Sequence, residues 1–350
     1  MSHEEIKKTS DIIARAERIR EALRSESDLE TVLDGEAERE AIERPGRLER
    51  LKGRVEQLFQ GEKLAGLRGK VIESFGVPQF GPHHNEGMFM DSHLDGILSN
   101  IDRLRNGEFP DELPGGIRES FQTIANERTD ELERYAFLHD IAKADRLRIR
   151  YEGKKEVDEP TWEEWRRRLP EAAREDPVAL RAFCKENNVK GFAYYQLSQS
   201  KRGGIVQHGA AGRQYLEGLG EDVGIAPAML EAIAAHEIAY QFENANARTY
   251  QKHLGEMEKE ERGLALLASF LDTSSSLKSD GAVDLHNFMA LLDAKHNFEL
   301  FEEVADVLYA DPALDPQKVK RSLGVLADKK VAIQESKEEL LVRLRKETAK

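Results

Sequence analysis

A histidine and an aspartate stand side by side in the segment Phe137-Leu138-His139-Asp140-Ile141-Ala142-Lys143, at the end of an apolar run. An imidazole and a carboxylate can share one metal ion or can bind one ion and reach towards a second, and neither is stable when buried without a partner. A metal site is therefore the first chemistry that this doublet predicts. Lys143 follows Asp140 by three residues, a spacing that places its ammonium on the same side of a helix as the doublet.

Four further residues of the same chemical kind lie elsewhere in the chain, and most stand in segments with the periodicity of amphipathic helices. They are His93, His208, His236 and Asp272. Read along the chain, the set has the order His, His-Asp, His, His, Asp. One histidine on an apolar helical face is more often a hydrogen-bonded core residue than a ligand, but five sites in this order predict a shared metal centre.

This order resembles that of the HD-domain superfamily of metal-dependent phosphohydrolases, over a stretch from about Gly81 to Lys295. The resemblance implies two divalent transition metal ions, with Asp140 bridging them. The implied ligands are His93, His139, Asp140 and Asp272 for one ion and Asp140, His208 and His236 for the other. Nitrogen and oxygen ligands without sulfur suit iron, manganese, cobalt, nickel or zinc, and do not choose among them.

The resemblance also implies hydrolysis of a phosphoester in a small, nucleotide-like substrate. Two such ions about 3.5–4 Å apart can share a hydroxide as nucleophile and can neutralise the charge that develops on a phosphoryl group. Lys143 and Asp140 are then the candidate catalytic residues, because the lysine could bind a phosphate oxygen or assist the leaving group. The Gly-Tyr-Pro signature of the cyclic-dinucleotide branch is absent, and Glu237 stands where that branch has a second histidine.

Residues around these ligands are candidates for supporting roles. Lys201, Arg202 and Arg213 flank His208 in sequence, and the glycine pair beside them lets the backbone approach a ligand closely, so we expect them to bind substrate. Glu86 is a candidate for orienting a metal ligand by a hydrogen bond, since some relatives place an acidic residue ahead of the first histidine.

Two other functions are open on the same residues. The ligand order also resembles that of the diiron oxygenases of this superfamily, of the inositol oxygenase and organophosphonate oxygenase type. Ligand identity does not separate hydrolysis from oxygenation, because the metal's redox state and the substrate pocket make that difference. A third interpretation is a regulatory protein that keeps the site as a nucleotide sensor, but the complete ligand set favours an enzyme.

Composition argues against several classes of partner and site: nucleic acids, disulfides, thiolate metal clusters and membranes. The 350 residues carry a formal net charge of −14, which is against a general nucleic-acid binder because binding to phosphate backbones rests on a basic surface. Cys184 is the only cysteine, so an intramolecular disulfide and a thiolate metal cluster are excluded. The sequence shows no secretory leader and no apolar run near the ~18 residues that a membrane span needs. We therefore expect a soluble, cytoplasmic protein that does not bind membranes.

Helical periodicity dominates the chain and alternating β-branched runs are scarce, so the sequence predicts an all-α fold with a bundled HD core. We divide the chain into a charged helical N-terminal region at 1–75, an HD domain at 76–310 with a helical insertion at 146–203, and a C-terminal helical extension at 311–350. The terminal helices are candidates for assembling a homo-oligomer.

Local signals predict several helix boundaries. Asp34-Gly35 predicts a break between a first helix and a second one that runs to about Gln60, with Pro45-Gly46 as an interruption. Apolar spacing predicts one helix over Met90 to Arg105 and another over Glu119 to Asp145.

Overall fold

The computed structural model describes residues 11–24, 29–81, 84–151, 164, 166–167, 169–197, 205–220, 224–277, 283 and 285–349. Helices make up most of the described chain, which confirms the predicted all-α class. The helices are α1 (Asp11–Arg24), α2 (Leu29–Leu58), α3 (Ala65–Ser74), α4 (Met90–Arg105), α5 (Gly115–Glu127), α6 (Thr129–Leu138), α7 (Pro177–Glu186), α8 (His208–Gly218), α9 (Pro227–Ala235), α10 (Ala247–Tyr250), α11 (Lys259–Ser274), α12 (His286–Tyr309), α13 (Pro316–Ala327) and α14 (Lys337–Thr348).

The chain forms two units. One comprises Met1–His236 and Gly263–Asp284, and the other comprises Glu237–Arg262 and Leu285–Lys350. The predicted division at residues 75 and 310 stays a prediction. In the described part of the chain, every helix falls short of the length or the apolar character needed to cross a membrane.

Helix α2 runs without interruption through both of the predicted breaks. The break at Asp34-Gly35 and the interruption at Pro45-Gly46 were therefore wrong. The reason is tertiary packing: Leu51 and Val55 are buried on the inward face of α2, and Asp34 is held by Arg181 of α7 at 3.0 Å. A proline removes one backbone donor and a glycine lowers helix propensity, but packing of an amphipathic face routinely outweighs both.

The helix predicted over Met90 to Arg105 is present with those bounds as α4. The helix predicted over Glu119 to Asp145 is instead two helices, α5 and α6, that meet at Arg128–Thr129. The α-helix ends at Leu138, His139 and Asp140 follow in turns, and a single 3-10 turn comes next at Ala144–Arg146. The apolar residues on which the prediction rested, such as Phe121 and Leu132, are buried as expected. Their spacing continues from α5 into α6, so it does not reveal that one helix ends and another begins.

A three-stranded antiparallel sheet lies within and beside the predicted insertion, formed by β1 (Leu147–Tyr151), β2 (Val189–Leu197) and β3 (Ile205–Gln207) in the order β1-β2-β3. The prediction of a helical insertion at 146–203 was therefore wrong in part, because the segment contains β1 and β2 as well as α7. The signal in the sequence was the alternation of Leu147 and Ile149 with arginines, which is typical of a strand. Leu147 pairs with Tyr194 across the first ladder, and this register fixes where Tyr194 stands.

The second unit has a core of its own, built from α12, α13 and α14. Its buried members are Leu300, Val304, Leu308, Leu314, Val319, Leu323, Leu326, Ile333, Leu340 and Leu344. Capping residues begin two of its helices. Asp315 precedes Pro316 at the start of α13, and its side chain accepts a hydrogen bond from the backbone N–H of Gln317 at 2.9 Å. Ser336 and Glu339 form a capping box at the start of α14. These are strong helix-start signals.

Candidate metal centre

The structure brings the side chains of all six predicted ligands together in the first unit, and all six are buried. Two lie within helices, His93 in α4 and Asp272 in α11. The others lie at helix ends: His139 and Asp140 just after α6, His208 as the first residue of α8, and His236 just after α9. Helix ends suit this task, because they aim a side chain past the end of the helical cylinder.

Asp140 stands at the centre of the cluster. Its Oδ1 lies 2.9 Å from His208 Nε2 and 3.6 Å from His236 Nε2. Its Oδ2 lies 3.0 Å from His139 Nε2 and 3.9 Å from His93 Nε2. The two carboxylate oxygens therefore face two different pairs of imidazoles, which is the placement that a bridging carboxylate needs.

Asp272 completes the group on the Oδ2 side. Its Oδ1 is 3.1 Å from His93 Nε2 and 4.0 Å from His139 Nε2. Three residues, His93, His139 and Asp272, thus lie on the Oδ2 side of Asp140, and two, His208 and His236, lie on the Oδ1 side. Overlapping sets of three potential ligands, with ligand atoms within 4.8 Å of one another, are His93, His139 and Asp140; His139, His236 and Asp272; and Asp140, His208 and His236.

Backbone carbonyls fix three of the imidazoles. The Nδ1–H of His139 donates to Ala136 O at 2.9 Å, that of His236 donates to Ile233 O at 2.7 Å, and that of His208 donates to the carbonyl of Tyr194 at 3.1 Å. A neutral imidazole that donates from Nδ1 carries its lone pair on Nε2. All three Nε2 lone pairs consequently point into the cluster, as metal-ligating histidines normally do.

The buried polar atoms of the cluster fit a bound cation. Nε2 of His208 and Nε2 of His236 are 3.1 Å apart, and two facing lone pairs repel unless a positive charge lies between them. Burial lowers the pKa of His236 to about 3, so a proton is not held there near neutral pH. Apart from the ion pair of Asp140 Oδ2 with Lys143, His139 Nε2 and the oxygens of Asp140 have no hydrogen-bond partner among the described residues, a costly state that metal coordination relieves.

The carboxylates of the cluster are ionised. Burial by itself raises the pKa of Asp140, but the imidazole of His139 and the ammonium of Lys143 outweigh it and hold that pKa well below its usual range. Burial likewise opposes ionisation of Asp272, and the hydrogen bond from His93 holds the pKa of Asp272 low.

Burial opposes protonation of His93, but its hydrogen bonds to Asp272 and Glu86 raise the pKa of His93 to about 9. The carboxylate oxygens and imidazole nitrogens together are the donor set that a divalent transition metal ion binds, with release of that proton.

Lys143 lies against the cluster as predicted, although it stands in a turn and not on a helix. Its Nζ is 2.7 Å from Asp140 Oδ2, and its side chain is only 2% exposed. The ammonium also lies 4.8 Å from the centre of the Tyr194 ring, within range of a cation–π contact. A buried lysine beside a candidate bridging carboxylate is well placed to meet a negatively charged substrate.

Glu86 lies next to the first histidine of the set. Its Oε1 is 3.3 Å from His93 Nδ1 and 2.9 Å from His84 Nδ1, and its Oε2 accepts the backbone N–H of Leu277 at 3.1 Å. Burial opposes ionisation of Glu86, but these neighbouring histidines hold its pKa low. The carboxylate can thus fix the ring of His93, and its predicted orienting role stays a prediction.

Of the three predicted substrate-binding residues, the structure describes Arg213. Lys201 and Arg202 lie outside the described residues. Arg213 is on α8, where its guanidinium donates to Glu217 at 2.7 Å and to Glu231 at 2.6 Å. Their role in substrate binding remains a prediction.

Gly209 and Tyr194 both support the ligands, and the sequence indicates the role of Gly209 only. The small residues after His208 predict close helix packing, and a Cβ placed on Gly209 would lie 2.8 Å from Ile233 O and 2.9 Å from His236 Cε1. Tyr194 was missed: its carbonyl holds His208, its ring lies beside Lys143, and its hydroxyl donates to Pro78 O. No local pattern could reveal it, because its position depends on the pairing of β1 with β2.

No protein-family model, curated protein or solved structure matches this chain. What the site can do therefore rests on its own chemistry: clustered histidines and aspartates that could hold metal ions, with a buried lysine beside them.

Proposed function

We propose that this protein is an HD-type, metal-dependent phosphohydrolase that cleaves a phosphoester in a small, nucleotide-like substrate. The observation that carries the proposal is the position of Asp140, whose two oxygens face separate pairs of imidazoles. A carboxylate in that position serves two ions better than one. Two divalent ions, when bound, supply a water activated near neutral pH and neutralise charge on a phosphoryl group.

The residues of the chain divide the remaining work. His93, His139 and Asp272 would hold one ion, and His208 and His236 would hold the other. Backbone carbonyls already orient the Nε2 lone pairs of His139, His208 and His236. Orientation before binding removes an entropic cost from metal capture.

Lys143 supplies the positive charge nearest to the ligands that is not itself a ligand. In the structure it pairs with Asp140. A phosphate oxygen arriving at the ions would offer the ammonium a second anionic partner at the same place, and a positioned ammonium in a buried site stabilises charge that develops in the transition state. This is the support for hydrolysis of an anionic ester.

Metal content and turnover test the proposal together. We expect protein purified without chelators to contain close to two transition metal ions per chain by elemental analysis, and to hydrolyse at least one member of a panel of nucleotides and phosphomonoesters. In the Asp140→Asn variant, both the metal and the hydrolysis should be lost. Asp145→Asn is the matched control, because Asp145 is exposed and pairs only with Lys70 among the described contacts of its side chain.

The same measurements can overturn the proposal. Fully loaded protein that cleaves no phosphoester, but consumes dioxygen with an organic substrate, is an oxygenase. Protein that binds nucleotides tightly and turns over neither class of substrate is a sensor.

A further inference from the structure

A cavity of about 70 Å³ lies between α1, α2 and α4, outside the metal ligands. That volume is several times the roughly 10–15 Å³ that one water needs, which leaves room for a few waters or for one tetrahedral oxyanion. Among the described residues, arginines and acidic side chains both line it, including Arg15, Arg18, Arg47, Glu36, Glu40 and Glu86. What matters is which of these groups already have partners.

The inner carboxylates have donors of their own. Glu36 accepts two hydrogen bonds from the guanidinium of Arg18, at 2.7 and 2.9 Å. Glu40 accepts the backbone N–H of Met88 at 2.8 and 3.0 Å and the hydroxyl of Ser92 at 3.2 Å. Both carboxylates are therefore satisfied without any further cation.

Arg15 differs from Arg47, another buried arginine in this lining, which pairs with Asp91 at 2.6 Å. The side chain of Arg15 is only 9% exposed, yet its nearest carboxylate contacts are long, 3.8 Å from Nε to Glu36 and 3.7 Å from Nη1 to Glu40. Its Nε has no hydrogen-bond partner among the described residues. Burial lowers the pKa of Arg15, as expected for a guanidinium that has lost its water without gaining close partners.

We infer that this cavity is an oxyanion site, in which Arg15 binds the phosphoryl group of a small molecule or a free phosphate. A guanidinium offers a planar fork of donors that matches the oxygens of phosphate, and Arg15 has donors to offer. A bound oxyanion would give this buried cation the close, charge-assisted hydrogen bonds that the described residues do not supply.

The inference goes beyond the proposed hydrolysis, because the site does not use the metal ligands. It adjoins them through two lining residues: Ser92, which precedes His93, and Glu86, whose Oε1 lies 3.3 Å from His93 Nδ1. An anion bound here would therefore lie beside the carboxylate that contacts a candidate metal ligand.

Titration of inorganic phosphate into the metal-loaded, full-length chain by calorimetry tests the site. We expect a saturable binding event that weakens at least 10-fold in Arg15→Gln. The matched control is Arg105→Gln, an arginine of α4 that lies outside the cavity and pairs with Asp102. This control should bind phosphate as the unmodified chain does.

A second measurement separates an oxyanion site from a structural ion pair. In the absence of phosphate, Arg15→Gln should melt within about 1 °C of the Arg105→Gln control, because the carboxylate contacts of Arg15 are 3.7 Å or longer and Glu36 and Glu40 keep their closer donors. In the Asp140→Asn background, which lacks the metal centre, phosphate should then raise the melting temperature when Arg15 is present and leave it unchanged when Arg15→Gln is added. A variant that melts further below that control without phosphate, or that binds phosphate as tightly as the unmodified chain, overturns the inference.

Two further titrations separate this site from the metal centre and identify the anion. In Asp140→Asn, the phosphate event held by Arg15 should persist even though the metals are lost, so failure of the proposed hydrolysis and failure of this site give different results. A nucleoside monophosphate titrated in place of phosphate identifies the source of the anion. Tighter binding indicates an attached phosphoryl group, and weaker binding indicates the free ion.

Discussion

The imidazoles of the cluster show how single residues are prepared for a metal. His139, His208 and His236 each donate from Nδ1 to a backbone carbonyl, which leaves Nε2 as the only basic nitrogen. The carbonyls belong to residues within three positions of His139 and His236, but to a strand 14 residues away for His208. Local geometry thus fixes two of these rings, and the small sheet fixes the third.

Substitution of Lys143 should lower turnover without loss of metal, whereas substitution of a ligand should remove the metal. In Lys143→Ala, we expect metal content to be retained and hydrolysis to fall about 10²-fold, because a charge that acts on the substrate is lost while the metal ligands stay in place. Elemental analysis and turnover on the same preparations provide the measurement.

The control for this variant is Lys185→Ala, which removes a lysine whose ammonium pairs with Asp34 and is partly exposed. It should change neither property. Loss of metal from Lys143→Ala would contradict the assigned role and would make Lys143 part of the structure of the centre itself.

At the scale of elements, close approach of α8 to the end of α9 is what places His208 against His236. Gly209 permits this approach because it has no Cβ, and an added Cβ would lie 2.8 Å from a backbone carbonyl that cannot move away by side-chain rotation. Overpacking of this kind typically costs about 1–3 kcal/mol.

We therefore expect Gly209→Ala to lower the free energy of unfolding by about 1–3 kcal/mol and to weaken metal binding, because the two helices must separate. Gly218→Ala is a matched control in the same helix, since a Cβ there meets nothing within 4 Å. It should be neutral or stabilising by up to about 1 kcal/mol, the helix propensity difference between alanine and glycine. Equal effects in denaturant unfolding of the two variants would contradict this account of α8.

At the scale of the whole molecule, all six candidate ligands belong to the first unit, and the second unit has its own apolar core. Metal binding should therefore stabilise the protein by linkage to folding of the first unit. Anything that binds the native state but not the unfolded chain adds about 2.7 kcal/mol at a concentration 100-fold above its dissociation constant.

Chelation tests this linkage. Removing metal from the unmodified chain should lower its melting temperature, and restoring metal should return it. Asp140→Asn should show no response to either treatment. If a chelator does not change the melting temperature of the metal-containing, unmodified protein, the ions contribute nothing to its stability.

The sequence by itself determined the features that depend on residue type and short-range spacing. Apolar periodicity gave α4 its bounds, and the order of histidines and aspartates identified six side chains that do converge, because ligand chemistry restricts which residues can share a buried polar site. Small residues after His208 likewise indicated a tight helix contact.

Only the tertiary structure decided what depends on contacts between distant segments. Packing kept α2 continuous through Gly35 and Pro45, strand pairing placed Tyr194 beside His208 and Lys143, and the apposition of three helices left Arg15 poorly paired in a cavity. None of these has a local signature, because each arises when burial energy from remote residues outweighs the preference of the residue itself.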